Sequence, residues 1–223
     1  MNMTSLKKIF TFKIKDAPEL LFVTVWVFVI CSIFGYVFEV TVSYLTIGYS
    51  EGHQGILYLP MTPIYGLGFL LMLVLLDRIK DYKPFTQYLF CSFTGGFFEA
   101  VCGLVQIYFY HSRSWNYSNL PLNILGLTTI PYAFIWGLLG FSFIKIWPFL
   151  RKQLMKLKND KTMVFTKVVL VFLLSDAILS TAICIRASER ANGITAHHIV
   201  DQWMDQVFDD ELIHDQWPGM KFK

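Results

Sequence analysis

Long stretches without a single formal charge constrain this 223-residue chain more than any other feature. Residues 20–38, 52–76 and 114–144 contain no Asp, Glu, Lys or Arg, and residues 84–112 contain only Glu99. A bilayer core takes roughly 20 apolar residues per helix. Inside it the backbone must satisfy its own hydrogen bonds, so such runs become helices. The pattern predicts an all-α, polytopic membrane helix bundle with about five transmembrane helices, near residues 21–46, 56–76, 86–110, 124–146 and 164–185. The first run is too long for a cleavable signal peptide, and no small-residue cleavage site follows it. Composition agrees: 55% of residues are hydrophobic and 16% charged, against about 25% charged in a soluble domain. A water-soluble enzyme and a disordered chain are excluded. The net charge of +3 is too small to suggest nucleic-acid binding. Cys31, Cys91, Cys102 and Cys184 lie in apolar runs without C-x-x-C spacing, so no zinc site, disulfide framework or cofactor is expected.

Basic residues set the expected orientation. Lys7, Lys8, Lys13 and Lys15 precede the first span; Arg78, Lys80 and Lys83 join spans two and three; Arg151, Lys152, Lys156, Lys158 and Lys161 join spans four and five. The other two connections hold only Arg113. Basic loops stay cytoplasmic. This predicts a multi-pass protein of the plasma membrane, with residues 1–19 inside, a transmembrane domain over 20–185 and an extracytoplasmic tail over 186–223. The tail has seven acids against four bases.

The transmembrane region contains an internal repeat. Cys31, Ser32, Gly35, Phe38 and Glu39 recur sixty residues on as Cys91, Ser92, Gly95, Phe98 and Glu99. Leu59-Pro60 answers Leu120-Pro121 at a similar offset. Two tandem two-helix units are expected, about 21–76 and 86–146, followed by a fifth helix. With two spans per unit the copies point the same way, as in parallel-repeat transporters. Glu39, Glu99 and Asp176 then reach similar depth in the outer half of the bilayer. A carboxylate there is expensive and usually faces a cavity or a partner. The chemical reading is a cluster holding a cation, a proton or a polar substrate; the structural one is that each acid caps a helix kink or bonds a neighbouring hydroxyl.

Pro60, Pro63, Pro121 and Pro131 interrupt the starts of spans two and four, predicting irregular or re-entrant backbone. Broken segments at matching places in two halves point to a binding site; alternatively these prolines simply begin helices, where they are well tolerated. Tyr65 and Asn123 sit in these starts as neutral donors and acceptors. Arg113, in the third connection, is a candidate partner for Glu39 or Glu99, or an anion clamp, and Tyr117 a candidate cover for the pocket. The expected substrate-binding set is Glu39, Tyr65, Glu99, Arg113, Tyr117, Asn123 and Asp176. In the tail, Ile199, Trp203 and Val207 recur every four residues opposite Asp201, Asp205, Asp209 and Asp210. That is an amphipathic helix over the outer mouth or on the membrane surface. The spacing of His197 and Asp201 is a weak metal signal, outweighed by a solvated helix face.

Gly35 and Glu39, the run from Gly55 to Gly66 ending Pro63-Ile64-Tyr65-Gly66, Glu99, the segment Arg113-Ser114-Trp115-Asn116-Tyr117-Ser118, Pro121, Asn123, Gly126 and Trp136-Gly137 together carry a resemblance. The chain resembles a bacterial family of CmpB-like integral membrane proteins, labelled as type IV ABC-transporter permeases, best over about 24–146. Asn116 stands where that family usually has Asp, and Leu59 where it usually has Gly. The resemblance implies transport. The chain itself has no G-x-x-x-x-G-K-[ST] motif, so any ATP would be hydrolysed by a separate subunit. The expected function is a permease-like transporter subunit with an outward-facing pocket for a small cationic or polar substrate. Two alternatives stay open: an outer-leaflet membrane enzyme using the paired carboxylates, against which the lack of G-x-S-x-G weighs, and a non-transporting accessory or sensor protein.

Overall fold

The computed structural model describes residues 17–49 and 52–222, so the expected cytoplasmic segment with Lys7, Lys8, Lys13 and Lys15 lies outside the described residues. These residues contain seven helices: α1 (Ala17–Ile47), α2 (Pro63–Ile79), α3 (Pro84–Phe109), α4 (Ile130–Leu157), α5 (Asp160–Ala191), α6 (Ile199–Val207) and α7 (Asp210–Gln216). Four of them, α1, α3, α4 and α5, are long and apolar enough to cross a membrane, and α2 contributes a shorter apolar stretch, Pro63–Leu76. The protein is a helical membrane bundle. At 1.5 Å per residue, α1 with its 31 residues is about 46 Å long. That exceeds a hydrocarbon core of about 30 Å, so it tilts or projects.

The starts of spans two and four are irregular, as their prolines predict, and both helices begin several residues later than the spans read from apolarity. Helix α2 starts at Pro63 rather than near residue 56, because Pro60 and Pro63 cannot donate to a helical ladder. The preceding segment stays irregular and finds its bonds elsewhere. Gly55 N–H donates to Met61 C=O at 2.9 Å, and Thr62 N–H to Ser32 C=O at 3.0 Å. Ser32 is at the midpoint of α1, so this irregular backbone folds back to bundle depth. Helix α4 starts at Ile130, with Pro131 in its first turn, and runs through Pro148 to Leu157. Neighbouring helices keep such a proline tolerable in a spanning helix. Ahead of α4, β2 (Asn123–Ile124) pairs antiparallel with β3 (Thr128–Thr129). Leu125 and Gly126 turn this hairpin with φ of 54° and 70°. At Gly126 a side chain would collide with Ser118 and with Asn116 Oδ1, 2.8 Å from its Cβ position, so this position requires glycine.

Packing pairs α1 with α2 and α3 with α4 more extensively than any other helices. The core common to both pairs holds Phe22, Val27, Phe69, Met72, Cys91, Trp136, Phe143 and Trp147. Helix α5 meets the bundle chiefly along α1, where Trp26 Nε1–H donates to Thr166 Oγ1 at 2.9 Å. At one end of the bundle, Arg151 pairs with Glu19. There Gln87 also donates to the last carbonyls of α2 and accepts from Lys145 Nζ at 2.8 Å.

The tail closes the opposite end. Strand β4 (Lys221–Phe222) pairs with β1 (Ser112–Arg113) in the α3–α4 connection. Phe208, Ile213 and Trp217 form a second core with Leu57, Ile183, Cys184 and Ala187. Helix α6 is amphipathic, yet it is the acidic face that docks. Arg186 donates to Asp205 through Nε and Nη2 at 2.9 Å each, and Arg190 reaches Asp205 at 2.8 Å and Asp210 at 2.7 Å. The stripe of Ile199, Trp203 and Val207 faces outward, with Ile199 81% exposed. Asp201 accepts from the backbone N–H of His197 and His198, capping α6 rather than facing a metal. Hydrogen bonds from Arg186 hold the Asp205 carboxyl down at about 2. A depressed carboxyl stabilises the folded form above its ordinary pKa near 4, and that stabilisation is lost only as pH falls towards 2. The tail is therefore expected to stay docked from pH 8 to about 4. Arg186→Ala leaves Asp205 to Arg190 alone, a loss of about 1.5 kcal/mol. Residues 199–216 should then exchange amide hydrogen about tenfold faster at pH 7. Unchanged exchange would mean that the apolar contacts alone hold the tail.

Candidate functional site

Two glycines, each one helical turn before a glutamate, determine how the site is built. A side chain at Gly35 would overlap the Tyr65 ring, and one at Gly95 would overlap Trp136, 2.8 Å from its Cγ. One turn further, Glu39 and Glu99 project from α1 and α3. Tyr65, buried in the first turn of α2, donates its hydroxyl to Glu39 Oε1. Its ring stacks on Trp136 with centroids 5.1 Å apart and planes at 27°, joining the two helix pairs. Glu99 is 93% buried. It accepts from Tyr117 Oη at 3.1 Å and from Thr128 Oγ1 at 2.6 Å, both in the α3–α4 connection. Tyr117 stacks on Tyr132 at 4.7 Å. His53 Nδ1 lies 3.9 Å from Glu39 Oε2, held by Thr62 Oγ1 donating to its carbonyl at 2.7 Å.

The Tyr65–Trp136 stack links the two carboxylates: Glu39 accepts from Tyr65, and Trp136 packs on Gly95, one turn before Glu99. Burial first, and then the charge of Glu99, raise the Tyr117 phenol above its ordinary pKa, so it remains a donor. Among the described residues, no Lys or Arg pairs with either glutamate. Two carboxylates facing hydroxyls and an imidazole form an electronegative site whose charge a proton or a cation would offset.

Glu39, Tyr65, Glu99 and Tyr117 thus come together, and three other expected residues do not join them. Arg113 lies on β1 opposite Lys221. Its Nε is buried without a hydrogen-bond partner, and it bridges neither glutamate. Asn123 is consumed by its own turn: Nδ2 donates to the carbonyls of Ser118 and Leu120, and Oδ1 accepts from Gly126 N–H. Asp176, 2% exposed, accepts from Leu57 N–H at 3.1 Å, Tyr58 N–H at 3.2 Å and Ser180 Oγ at 3.1 Å. It ties the irregular segment to α5, the structural role for an acid at depth. Thr128 and Trp136 belong to the site and were absent from the expected set. Neither carries charge, and only the Trp136-Gly137 pair hinted at its place.

The two helix pairs share further contacts. A side chain at Gly66 would meet Ser32 Oγ, and one at Gly137 would meet Ser92 Oγ. The first helices correspond at an offset of 60 residues, whereas Tyr65-Gly66 corresponds to Trp136-Gly137 at 71. The matching Leu59-Pro60 and Leu120-Pro121 are therefore not equivalent: Pro121 precedes the hairpin that lengthens the second connection.

Long apolar helices packed as a bundle, four of them long enough to cross a membrane, define a polytopic membrane protein. Residues 26–181, more than two-thirds of the chain, match the family described as "Putative ABC-transporter type IV" (ABC_trans_CmpB). The chain belongs to this family and is an ABC-transporter-related membrane protein. Neither a curated relative nor a solved structure matches it.

Proposed function

We propose that the protein is a permease-like subunit whose pocket at Glu39, Tyr65, Glu99 and Tyr117 binds a small cationic or strongly hydrogen-bonding substrate. The observation that carries this reading is the pair of carboxylates held by tyrosine hydroxyls, with no Lys or Arg among the described residues paired to either. A separate ATP-hydrolysing subunit drives the cycle, consistent with the family and with the missing nucleotide motif. An outer-leaflet enzyme is less well supported, since Arg113, its anion clamp, stands apart from the carboxylates. The test is a titration of the purified full chain with sodium, potassium, tetramethylammonium and spermidine, following tryptophan fluorescence, with Trp136→Phe as the signal control. One cation should change the emission saturably in the wild type and not in Glu99→Gln. No response to any of the four, or an equal response in the variant, argues against a cation site.

In the same reading the N-terminus is cytoplasmic and the tail extracytoplasmic, supported by the basic connections 78–83 and 151–161. An alkaline phosphatase fused after Lys223 is expected to be active and a fluorescent-protein fusion there dark. The reverse pattern inverts the topology.

A further inference from the structure

A cavity of about 530 Å³ lies between α5 and helices α1 to α3, and neither glutamate lines it. Its size is that of a site for one organic ligand. Its walls are apolar, formed by side chains such as Phe28, Leu70 and Leu173. Along α5 the lining runs from Leu170 to Cys184, about 21 Å at 1.5 Å per residue. That is longer than half of a bilayer core, about 15 Å. Leu67 and Leu174 line it and are 49% and 54% exposed, so the mouth opens on the flank that the bundle presents to lipid.

Apart from Thr24, the polar side chains that line it gather at the tail end. Ser112 lines the cavity there and is 2% exposed, and its Oγ has no hydrogen-bond partner. An unpaired buried hydroxyl is costly, so such a group calls for a partner. Beside it, Tyr110 Oη and Thr181 Oγ1 meet only at 3.5 Å, leaving both with bonding capacity to spare. An apolar slot longer than one leaflet, open sideways and ending in hydroxyl donors, matches an acyl chain joined to ester oxygens.

We propose that this cavity holds one acyl chain of a membrane phospholipid, inserted between α5 and the bundle, with its ester oxygens accepting from Ser112 and its neighbours. The site is separate from the carboxylate pocket and does not depend on it. The full chain in nanodiscs of phosphatidylethanolamine and phosphatidylglycerol, doped with a phospholipid carrying a mid-chain diazirine, provides the test. On illumination, residues 170–177 should be labelled at least fivefold more than Phe93 and Phe97, which are 73% and 62% exposed on α3. Ala177→Trp, plugging the exposed mouth, should bring labelling down to the α3 level. Leu174→Trp is read in the same way should Ala177→Trp fail to accumulate. Ser112→Ala should lower cavity labelling while leaving the α3 level unchanged. Equal labelling of cavity and α3, labelling that survives both tryptophan variants, or labelling by diazirine palmitate but not by the phospholipid would overturn the proposal.

Discussion

Glu99→Gln is expected to abolish function while the protein still accumulates and inserts. The glutamine keeps the shape of the side chain, and hydroxyls both donate and accept, so Tyr117 and Thr128 can rotate to satisfy the amide. What disappears is the charge. A hydrogen bond to a charged group contributes about 1.5–3 kcal/mol, so a cationic substrate loses roughly 10- to 150-fold in affinity. Glu39→Gln should weaken function in the same direction and less, because Glu39 is about one-third exposed and water screens its charge. The measurement is complementation of a deletion strain, with membrane-fraction immunoblots beside it. A fully active Glu99→Gln protein removes the carboxylate from the mechanism. A protein that vanishes from the membrane assigns Glu99 a structural role.

Gly95→Leu is expected to have the largest effect on the bundle itself. The Cβ alone would overlap Trp136, and Trp136 cannot withdraw because it stacks on Tyr65. Overpacking of a well-filled core typically costs 1–3 kcal/mol, and here three further carbons need room. Gly95→Leu should accumulate at a small fraction of the wild-type level or melt at least about 10 °C lower. Gly219→Ala is the control, since its nearest neighbour, the Ser114 carbonyl, lies at an ordinary 3.6 Å. Wild-type melting of Gly95→Leu would show that α3 and α4 do not approach as described.

The spans were legible because charge is costly in lipid whatever the tertiary structure. Glu39 and Glu99 were legible for the same reason, helped by the sixty-residue recurrence around them. The second half of each repeat was not: Tyr65 and Trp136 occupy equivalent places without sharing a letter, and the inserted hairpin moves the offset from 60 to 71. The irregular start of span two was legible in Pro60 and Pro63, but the first helical residue was not, because residues 56–62 are as apolar as a helix. Asp176 read as a site residue because its partners are backbone N–H groups far away in sequence, which leave no trace in side-chain pattern. For the tail, periodicity gave the stripe but not which face would dock. The spacing of Arg186 and Arg190, one turn apart at the end of α5, was the overlooked signal that the acidic face is the one held.

The pairing of β1 with β4 has a consequence for biogenesis. The connection that carries Tyr117 and Thr128 to Glu99 is synthesised about a hundred residues before Lys221 and Phe222, the residues that supply its partner strand. During translation α3 and α4 can pack as neighbours at once, since their contacts are local. The mouth above them must wait for α5 to insert and for the tail to fold back across it. A nascent chain arrested within the tail would hold its helices in the membrane with Glu99 in place and one edge of its cover unpaired. Membrane insertion and maturation of the site are thereby separated in time, and the second reports that the tail has been made.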